Sequence, residues 1–202
     1  MGRGAGRDQQ MRVLIAQEAA RLMNLEGIRD FQAAKRKAAQ HLGAPDTRNM
    51  PRNIEVEQAL SEYQRLFCAD EQLGHLRSLR ESAVQAMRFF TDFRPRLVGS
   101  VLSGTAGPHA DINLHLFADT AEEVGLFLMA SNIPFETASR RLRVSREEWI
   151  EFPCFQFMAG EHPVELVVFP AEGRREPPRS PVDGKPMPRG SLSEVEALLK
   201  NG

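Results

Sequence analysis

The sequence predicts an α+β fold in which an all-helical region, residues 1–90, precedes a β-sheet domain flanked by helices, residues 91–170. Two observations predict this order. Apolar residues recur near every 3.6 positions through the first region, and strand-like runs alternate with helical ones after it. A third observation concerns residues 171–202, whose proline-rich start is incompatible with a packed helix or a central strand. We therefore expect an irregular tail there, closed by one short helix.

The first region predicts four helices. One ends before Gly27, and the next begins after Asp30, a residue type that caps helix N-termini, and stops at Gly43. The stretch APDTRNMPRN that follows contains two helix-breaking prolines and predicts a connector. The remaining two helices are predicted over Ile54–Phe67 and Glu71–Phe90.

The second region predicts five strands and one helix. The strands are Arg96–Gly99, Asp111–Phe117, Phe135–Val144, Trp149–Met158 and Val164–Phe169. Thr120–Ser131 predicts a helix whose first turn carries two glutamates, which favour the positive end of the helix dipole. In the tail, Ser191 and Glu194 have the spacing of a capping box and predict a helix over Ser191–Lys200.

The composition is typical of a globular protein, with 42% hydrophobic and 26% charged residues and a net charge of -1. Bulk charge therefore does not identify a polyanion-binding protein. The charge is uneven, however: residues 1–52 contain ten Lys and Arg against five Asp and Glu, a net of +5, which leaves -6 for the remainder. A basic surface on the N-terminal helices is expected, either as a solvated face or as a contact surface.

The cysteine count and the apolar pattern bear on location. Cys68 and Cys154 stand far apart in apolar surroundings, which predicts two reduced core thiols and neither a disulfide framework nor a zinc site. No stretch of about 18 apolar residues occurs, so no membrane span is expected. The first residues lack the apolar segment of a secretory signal, and we expect the protein in the cytoplasm.

The stretch RLVGSVLSGTAGPHADINLHLF, residues 96–117, contains the most informative motif. An apolar strand ends at Gly99-Ser100, and the next strand opens with Asp111 and Asn113, which share one face because strand side chains alternate. Farther on, Glu165 is the one charged residue in the apolar run HPVELVVFP. Because a buried carboxylate is costly when unpaired, Glu165 requires a partner or a metal ion.

These residues, in this order, resemble the signature of the nucleotidyltransferase superfamily of the DNA polymerase β type. The resemblance covers about residues 94–170 and implies a mixed β-sheet flanked by helices. It implies that Gly99 and Ser100 bind the phosphates of a nucleoside triphosphate. It further implies that Asp111, Asn113 and Glu165 are the catalytic positions and the ligands of Mg²⁺, with Glu165 activating the acceptor hydroxyl.

Asn113 departs from this signature, which has a carboxylate at that position. An amide oxygen ligates Mg²⁺, but the substitution removes one negative charge from a site that must offset two dications. The sequence therefore predicts a nucleotide- and Mg²⁺-binding protein whose catalysis is weakened or lost. Two arrangements agree with this set of residues. In one, Asp111 and Glu165 hold a single metal ion; in the other, the site binds nucleotide without metal chemistry.

Several arginines in the stretch ASRRLRVSREEW are candidates for phosphate binding. Arg141 and Arg143 share a strand face and are the pair expected to contact the nucleotide, while Arg140 and Arg146 belong to the same basic run. The alternative is a solvated strand face with ion pairs to nearby glutamates.

His109 and His115 flank the Asp-x-Asn motif. They are either transition-metal ligands or a loop histidine and a hydrogen-bonded sheet histidine.

A different class of function rests on the N-terminal helices. Lys35, Arg36 and Lys37 lie on an alanine-rich helix. In the alternative hypothesis, the protein is a nucleic-acid-binding or protein-interaction module, and this helical region makes the contacts with the partner.

Two other enzyme classes are excluded because their motifs are missing. The phosphate loop of kinases requires a lysine that GSVLSGTAGPHAD lacks, and the G-x-S-x-G elbow of serine hydrolases is missing from the sequence.

Overall fold

The computed structural model describes residues 3–45, 47–67, 69–145 and 147–201. Cys68 and Arg146 lie outside the described residues. The helices are α1 (Arg3–Glu26), α2 (Phe31–His41), α3 (Asn53–Phe67), α4 (Ala69–Phe89), α5 (Ser100–Ser103), α6 (Ala121–Ala130) and α7 (Leu192–Asn201). The strands are β1 (Arg96–Val98), β2 (Ile112–Ala118), β3 (Glu136–Arg143), β4 (Trp149–Ala159) and β5 (His162–Pro170). The predicted sequence of helices followed by a sheet region is confirmed.

The chain divides into two compact units. The first contains residues 1–72 with the short segments Gly107–His109 and Pro181–Asp183, and the second contains the rest. In the first unit, α1 packs against α2 and α3 around a small apolar core that includes Ile15, Leu22 and Val56. The Asp30 carboxylate accepts a hydrogen bond from the Ala33 amide at 2.7 Å, which confirms the predicted cap of α2.

The second unit is built on a mixed five-stranded sheet with the strand order β1-β2-β5-β4-β3. Strands β2 and β5 are parallel, and the other three neighbouring pairs are antiparallel. The long chain between β2 and β5 contains α6 and the β3–β4 hairpin, as a parallel pair requires a crossover connection. The parallel pair places the first residues of β2 and β5 at the same end of the sheet.

The two faces of the sheet differ in character. Leu114, Leu116, Val164 and Leu166 point to the face that packs against helices and contributes the larger core. The residues between them point to the other face. There a smaller apolar cluster, Phe117, Phe152, Cys154, Val167 and Phe169, occupies the half nearer the ends of β2 and β5. The remaining half of that face is polar.

The C-terminal tail is irregular, as the sequence predicts, apart from a short 3₁₀ turn over Ala171–Arg175 and helix α7. Backbone hydrogen bonds in both directions join Gly190 to Leu97 of β1, at 2.8 and 2.9 Å, and cover the outer edge of the sheet. The capping box of α7 is confirmed, because Glu194 Oε2 accepts from the Ser191 amide at 2.7 Å while the Glu194 amide donates to Ser191 Oγ at 3.4 Å.

Within the described ranges, no helix is both long enough and apolar enough to cross a membrane.

Candidate functional site

A row of polar side chains crosses the sheet at the end where β2 and β5 begin. Asn113 of β2 is the register partner of Glu165 of β5, which pairs with Gln156 of β4, which pairs with Glu136 of β3. Directly paired residues point to the same face of a sheet, so the four side chains form one line. We call these residues the polar row. It brings together two of the three residues that the sequence motif predicts for catalysis.

The Gly99-Ser100 turn lies beside the first member of the row. Val98, the last residue of β1, is the register partner of Asn113. Gly99 follows with φ 74° and ψ -155°, a combination that residues with a Cβ rarely adopt, and Ser100 then starts the single-turn helix α5. A Cβ on Gly99 would lie 3.5 Å from Asn113 Nδ2. The turn that the resemblance assigns to phosphate is thus adjacent to the amide that replaces the carboxylate.

Asn113 has a structural role that aspartate lacks. Its Nδ2 donates a hydrogen bond to the main-chain oxygen of Asp111 at 3.2 Å. An ionised carboxylate only accepts hydrogen bonds, so aspartate at this position would face that carbonyl without a donor. The amide at position 113 therefore fixes the backbone where Asp111 leads into β2.

Glu165 is the most buried acid of the site, with 3% of the residue exposed. Arg140 donates from Nε to Glu165 Oε1 at 3.0 Å and from Nη2 to both carboxylate oxygens at 2.6 Å. Gln156 Nε2 donates to Oε2 at 2.9 Å. The expectation that Glu165 has a partner or a metal ion is met by a partner, since both oxygens accept hydrogen bonds from side chains of β3 and β4.

Electrostatics within the site agree with this pairing. Burial alone lowers the pKa of Arg140, but its hydrogen bonds to Glu165 and the negative charges of Glu165 and Asp111 raise that pKa above its ordinary value. Cys154, which is 1% exposed and shares the face, has a pKa raised to about 12 by burial and by the charge of Glu165. Cys154 is therefore a protonated core thiol, as the sequence predicts, and no nucleophile.

The residues of this site do not fit Mg²⁺. A hard dication takes about six oxygen ligands and favours carboxylates, yet both oxygens of Glu165 are held by Arg140 and Gln156. Asn113 binds backbone through its amide nitrogen. No three side chains of His, Cys, Asp or Glu are grouped for a metal ion anywhere among the residues that the structure describes. The charge of Glu165 is compensated by a guanidinium instead.

The structure does not bring Arg141 and Arg143 to the polar row. They alternate with Arg140 along β3 and so point to the opposite face. The Arg141 guanidinium lies 5.6 Å from the centre of the Trp149 ring, and the Arg143 side chain lies against Gly184. Of the three described arginines of this run, Arg140 is the one that reaches the site. Strand register decides this, and the sequence does not encode the register in any local pattern.

Beside the polar row, His115 and Arg189 form a second polar contact on the same face. His115 is 2% exposed, and its Nδ1 accepts a hydrogen bond from Arg189 Nε at 3.0 Å. Burial and the charge of Arg189 lower the pKa of His115 to about 3. His115 is thus the hydrogen-bonded sheet histidine of the two alternatives. His109 lies in a loop, 3.3 Å from the carbonyl oxygen of Leu25.

Arg189, from the tail, is a residue that the sequence motif does not indicate. Its guanidinium lies 5.0 Å from the ring centre of Phe117 and 4.7 Å from that of Phe169, and its Nη1 donates to the Gly173 carbonyl. Nη2 is buried and makes no hydrogen bond to any described residue. Burial and the nearby charge of Arg96 lower the pKa of Arg189 to about 10. This face therefore carries a half-buried positive charge without a carboxylate partner among the described residues.

The basic residues of the first unit are largely compensated. Ion pairs join Arg12 and Arg52 to Glu55, Arg21 to Glu18, and Lys37 to Glu26. Lys35 is buried and donates to the Pro51 carbonyl at 3.1 Å and to Asn53 Oδ1 at 2.8 Å. These contacts use much of the positive charge that the sequence places on the N-terminal helices.

Comparison of the chain with protein-family models, with curated proteins and with solved structures finds no match in any of the three.

Proposed function

We propose that this protein is a nucleotidyltransferase-like nucleotide-binding protein with a degenerate catalytic site. The observation that carries the proposal is the register of Val98, Asn113 and Glu165, which aligns the Gly-Ser turn, the Asp-x-Asn segment and the lone strand acid on one face. These are the positions at which the superfamily resembled by the sequence holds triphosphate and carries out transfer. Loss of transfer follows from the engagement of Glu165, whose oxygens are not available as a base or as metal ligands.

The charge of the surrounding face supports an anionic ligand. Arg96 is the register partner of His115 and lies on the same face as Asn113, and Arg189 contacts His115 from the tail. Their guanidinium groups add positive charge to the face that carries Asp111 and Glu165. A nucleoside triphosphate is the ligand class that combines this charge preference with the Gly-Ser turn.

The alternative function, nucleic-acid or protein binding through the basic N-terminal helices, has less support. The ion pairs to Glu55, Glu18 and Glu26 compensate several of the charges on which it depends, and Lys35 is buried. Counterion release by uncompensated lysines and arginines is what drives such binding. Among the described residues of the first unit, no contact favours it.

Binding and transfer are tested separately. Each of the four nucleoside triphosphates, with Mg²⁺ present, is titrated into the protein while thermal unfolding is followed. We expect at least one to stabilise the protein, since a ligand at about 100 times its Kd adds about 2.7 kcal/mol. The same mixtures with α-labelled nucleotide and RNA or protein acceptors should yield no labelled acceptor. Unfolding that is unchanged by all four nucleotides contradicts nucleotide binding, and labelling that disappears in Asp111→Ala contradicts the degenerate site.

A further inference from the structure

The geometry points to Arg140 as a built-in cation that takes the place of a divalent metal, so that this face binds the phosphates of a nucleotide without Mg²⁺. The inference rests on the proposed function and defines its ligand chemistry more narrowly. It starts from the disagreement between the motif, which implies Mg²⁺ at Asp111, Asn113 and Glu165, and the contacts of Glu165, which do not fit Mg²⁺.

The position of the Arg140 guanidinium is the first observation that supports a built-in cation. Nη2 of Arg140 lies 2.6 Å from each oxygen of Glu165, and the charge of Asp111 also acts on this guanidinium. The positive group of the site therefore lies against the carboxylate that a metal would require. A dication would have to displace Arg140 before it reached Glu165, at the cost of the three hydrogen bonds between them.

Arg140 also keeps hydrogen-bond donors for a ligand. Its hydrogen bonds use Nε and Nη2, and Nη1 makes none with any described residue. The side chain is 44% exposed, whereas that of Glu165 is 4% exposed. A guanidinium presents its five N–H groups in a planar fork, so that one edge holds a carboxylate while the other binds a phosphate oxygen. Glu165 then acts as a positioning residue that orients this fork.

The charges of the site lead to the same expectation. Asp111, Glu165 and the exposed Glu136 of the polar row contribute three negative charges to this face, and Arg140, Arg96 and Arg189 contribute three positive charges. The guanidinium groups therefore offset the carboxylates, whereas in a site without such cations metal ions must bridge the acids and the phosphates.

The test is calorimetric titration of ATP, GTP, CTP, UTP and inorganic tripolyphosphate into the full chain, once in EDTA and once in Mg²⁺. Tripolyphosphate distinguishes recognition of phosphate alone from recognition that includes the nucleoside. We expect at least one nucleotide to bind in EDTA with a Kd within threefold of its Kd in Mg²⁺. Thermal unfolding of each protein checks that it is folded.

Variants of two adjacent arginines provide the matched comparison. Arg140→Gln should weaken binding in EDTA at least tenfold, and Arg140→Lys, which keeps the charge but not the fork, should weaken it less. Arg141→Gln removes the same charge from the neighbouring residue, which points to the opposite face, and should change the Kd less than twofold. Both variants lose one positive charge, so a difference in Kd between Arg140→Gln and Arg141→Gln reports the effect of where that charge lies.

The outcomes of these titrations test the role of Arg140 separately from nucleotide binding. Binding in EDTA that requires Arg140 supports the inference. Binding that occurs only with Mg²⁺, or that Arg140→Gln leaves unchanged, overturns the built-in cation and leaves nucleotide binding in place. Failure of every nucleotide to bind in both buffers overturns the proposed function itself, and the inference with it.

Discussion

Nη2 of Arg140 lies 2.6 Å from both carboxylate oxygens of Glu165, and these two side chains come from strands that do not adjoin. Arg140 belongs to β3 and Glu165 to β5, and β4 lies between them. The guanidinium therefore reaches across one strand, where Gln156 completes the contacts of the carboxylate. A buried carboxylate compensated in this way contributes to folding as well as to the chemistry of the site.

Removing the partner of Glu165 should destabilise the protein. Arg140→Ala leaves a buried carboxylate with Gln156 as its remaining donor, and we expect the free energy of unfolding to fall by about 3 kcal/mol. The matched control is Glu136→Ala, which removes an exposed carboxylate from the same polar row and should cost less than about 0.5 kcal/mol. Urea unfolding of the two variants measures both values. Equal stability of the two variants would show that the Arg140–Glu165 pair contributes little to folding.

Restoring the carboxylate at position 113 should not by itself restore metal binding. Asn113→Asp loses the hydrogen bond to the Asp111 carbonyl and adds a negative charge beside Glu165, while Arg140 still holds the Glu165 oxygens. We expect no Mg²⁺ binding at millimolar concentration by calorimetry. The double variant Asn113→Asp with Arg140→Ala should bind Mg²⁺, because three carboxylates then face one another without a competing cation. Tight Mg²⁺ binding by the single variant would contradict the role assigned to Arg140.

The turn before α5 should depend on a glycine for backbone reasons. Gly99 has φ 74° and ψ -155°, and the space for a Cβ is adequate, with Asn113 Nδ2 at 3.5 Å. Gly99→Ala should therefore cost about 1–3 kcal/mol through backbone strain. Gly74→Ala is the control, since Gly74 lies in α4 with no atom near its Cβ position, and that change should stabilise the helix by up to about 1 kcal/mol. Chemical denaturation that gives the same sign for both would contradict the assigned strain.

His115 should make stability depend on pH below neutrality. Its pKa is lowered from 6.5 to about 3 in the folded state, so the unfolded chain binds a proton that the folded chain does not between these values. The contribution of neutral His115 to the free energy of unfolding is present above pH 6.5 and is lost as the pH falls. The loss is about 1.5 kcal/mol between about pH 6.5 and pH 5. His115→Asn keeps an acceptor for Arg189 Nε and does not titrate, so the pH slope of its unfolding free energy should be smaller. The loop variant His109→Asn should keep the slope of the parent, and an equal slope in all three proteins would contradict burial of a neutral His115.

The elements of the fold follow from local sequence signals. The Asp30 cap, the capping box of Ser191 and Glu194, and the largely apolar runs that mark β2 and β5 all depend on residues a few positions apart, and the structure contains each of them. Glycine and proline marked most of the interruptions. The one-turn helix α5 and the 3₁₀ turns Thr91–Phe93 and Ala171–Arg175 were not predicted, because segments of three to five residues are too short to show a periodic pattern.

The contacts within the site depend on information that the sequence does not display. Because side chains alternate along β3, Arg140 points to one face of the sheet and Arg141 and Arg143 to the other. Which of these faces carries Glu165 depends on the register of three strands. The burial of Arg189 in a proline-rich tail depends on how that tail crosses β1. The need of Glu165 for a partner was predictable from its apolar strand, whereas the identity of that partner was not.

A crystal structure of the protein with bound ATP and Mn²⁺ tests the built-in cation most directly, because Mn²⁺ is located by its anomalous scattering. We predict that a phosphate oxygen of ATP lies within hydrogen-bond distance of Arg140, that Arg140 keeps its contacts with Glu165, and that no Mn²⁺ lies between Asp111 and Glu165. A Mn²⁺ ion ligated by Asp111 and Glu165, with Arg140 displaced from the carboxylate, would contradict the role of Arg140 as a built-in cation.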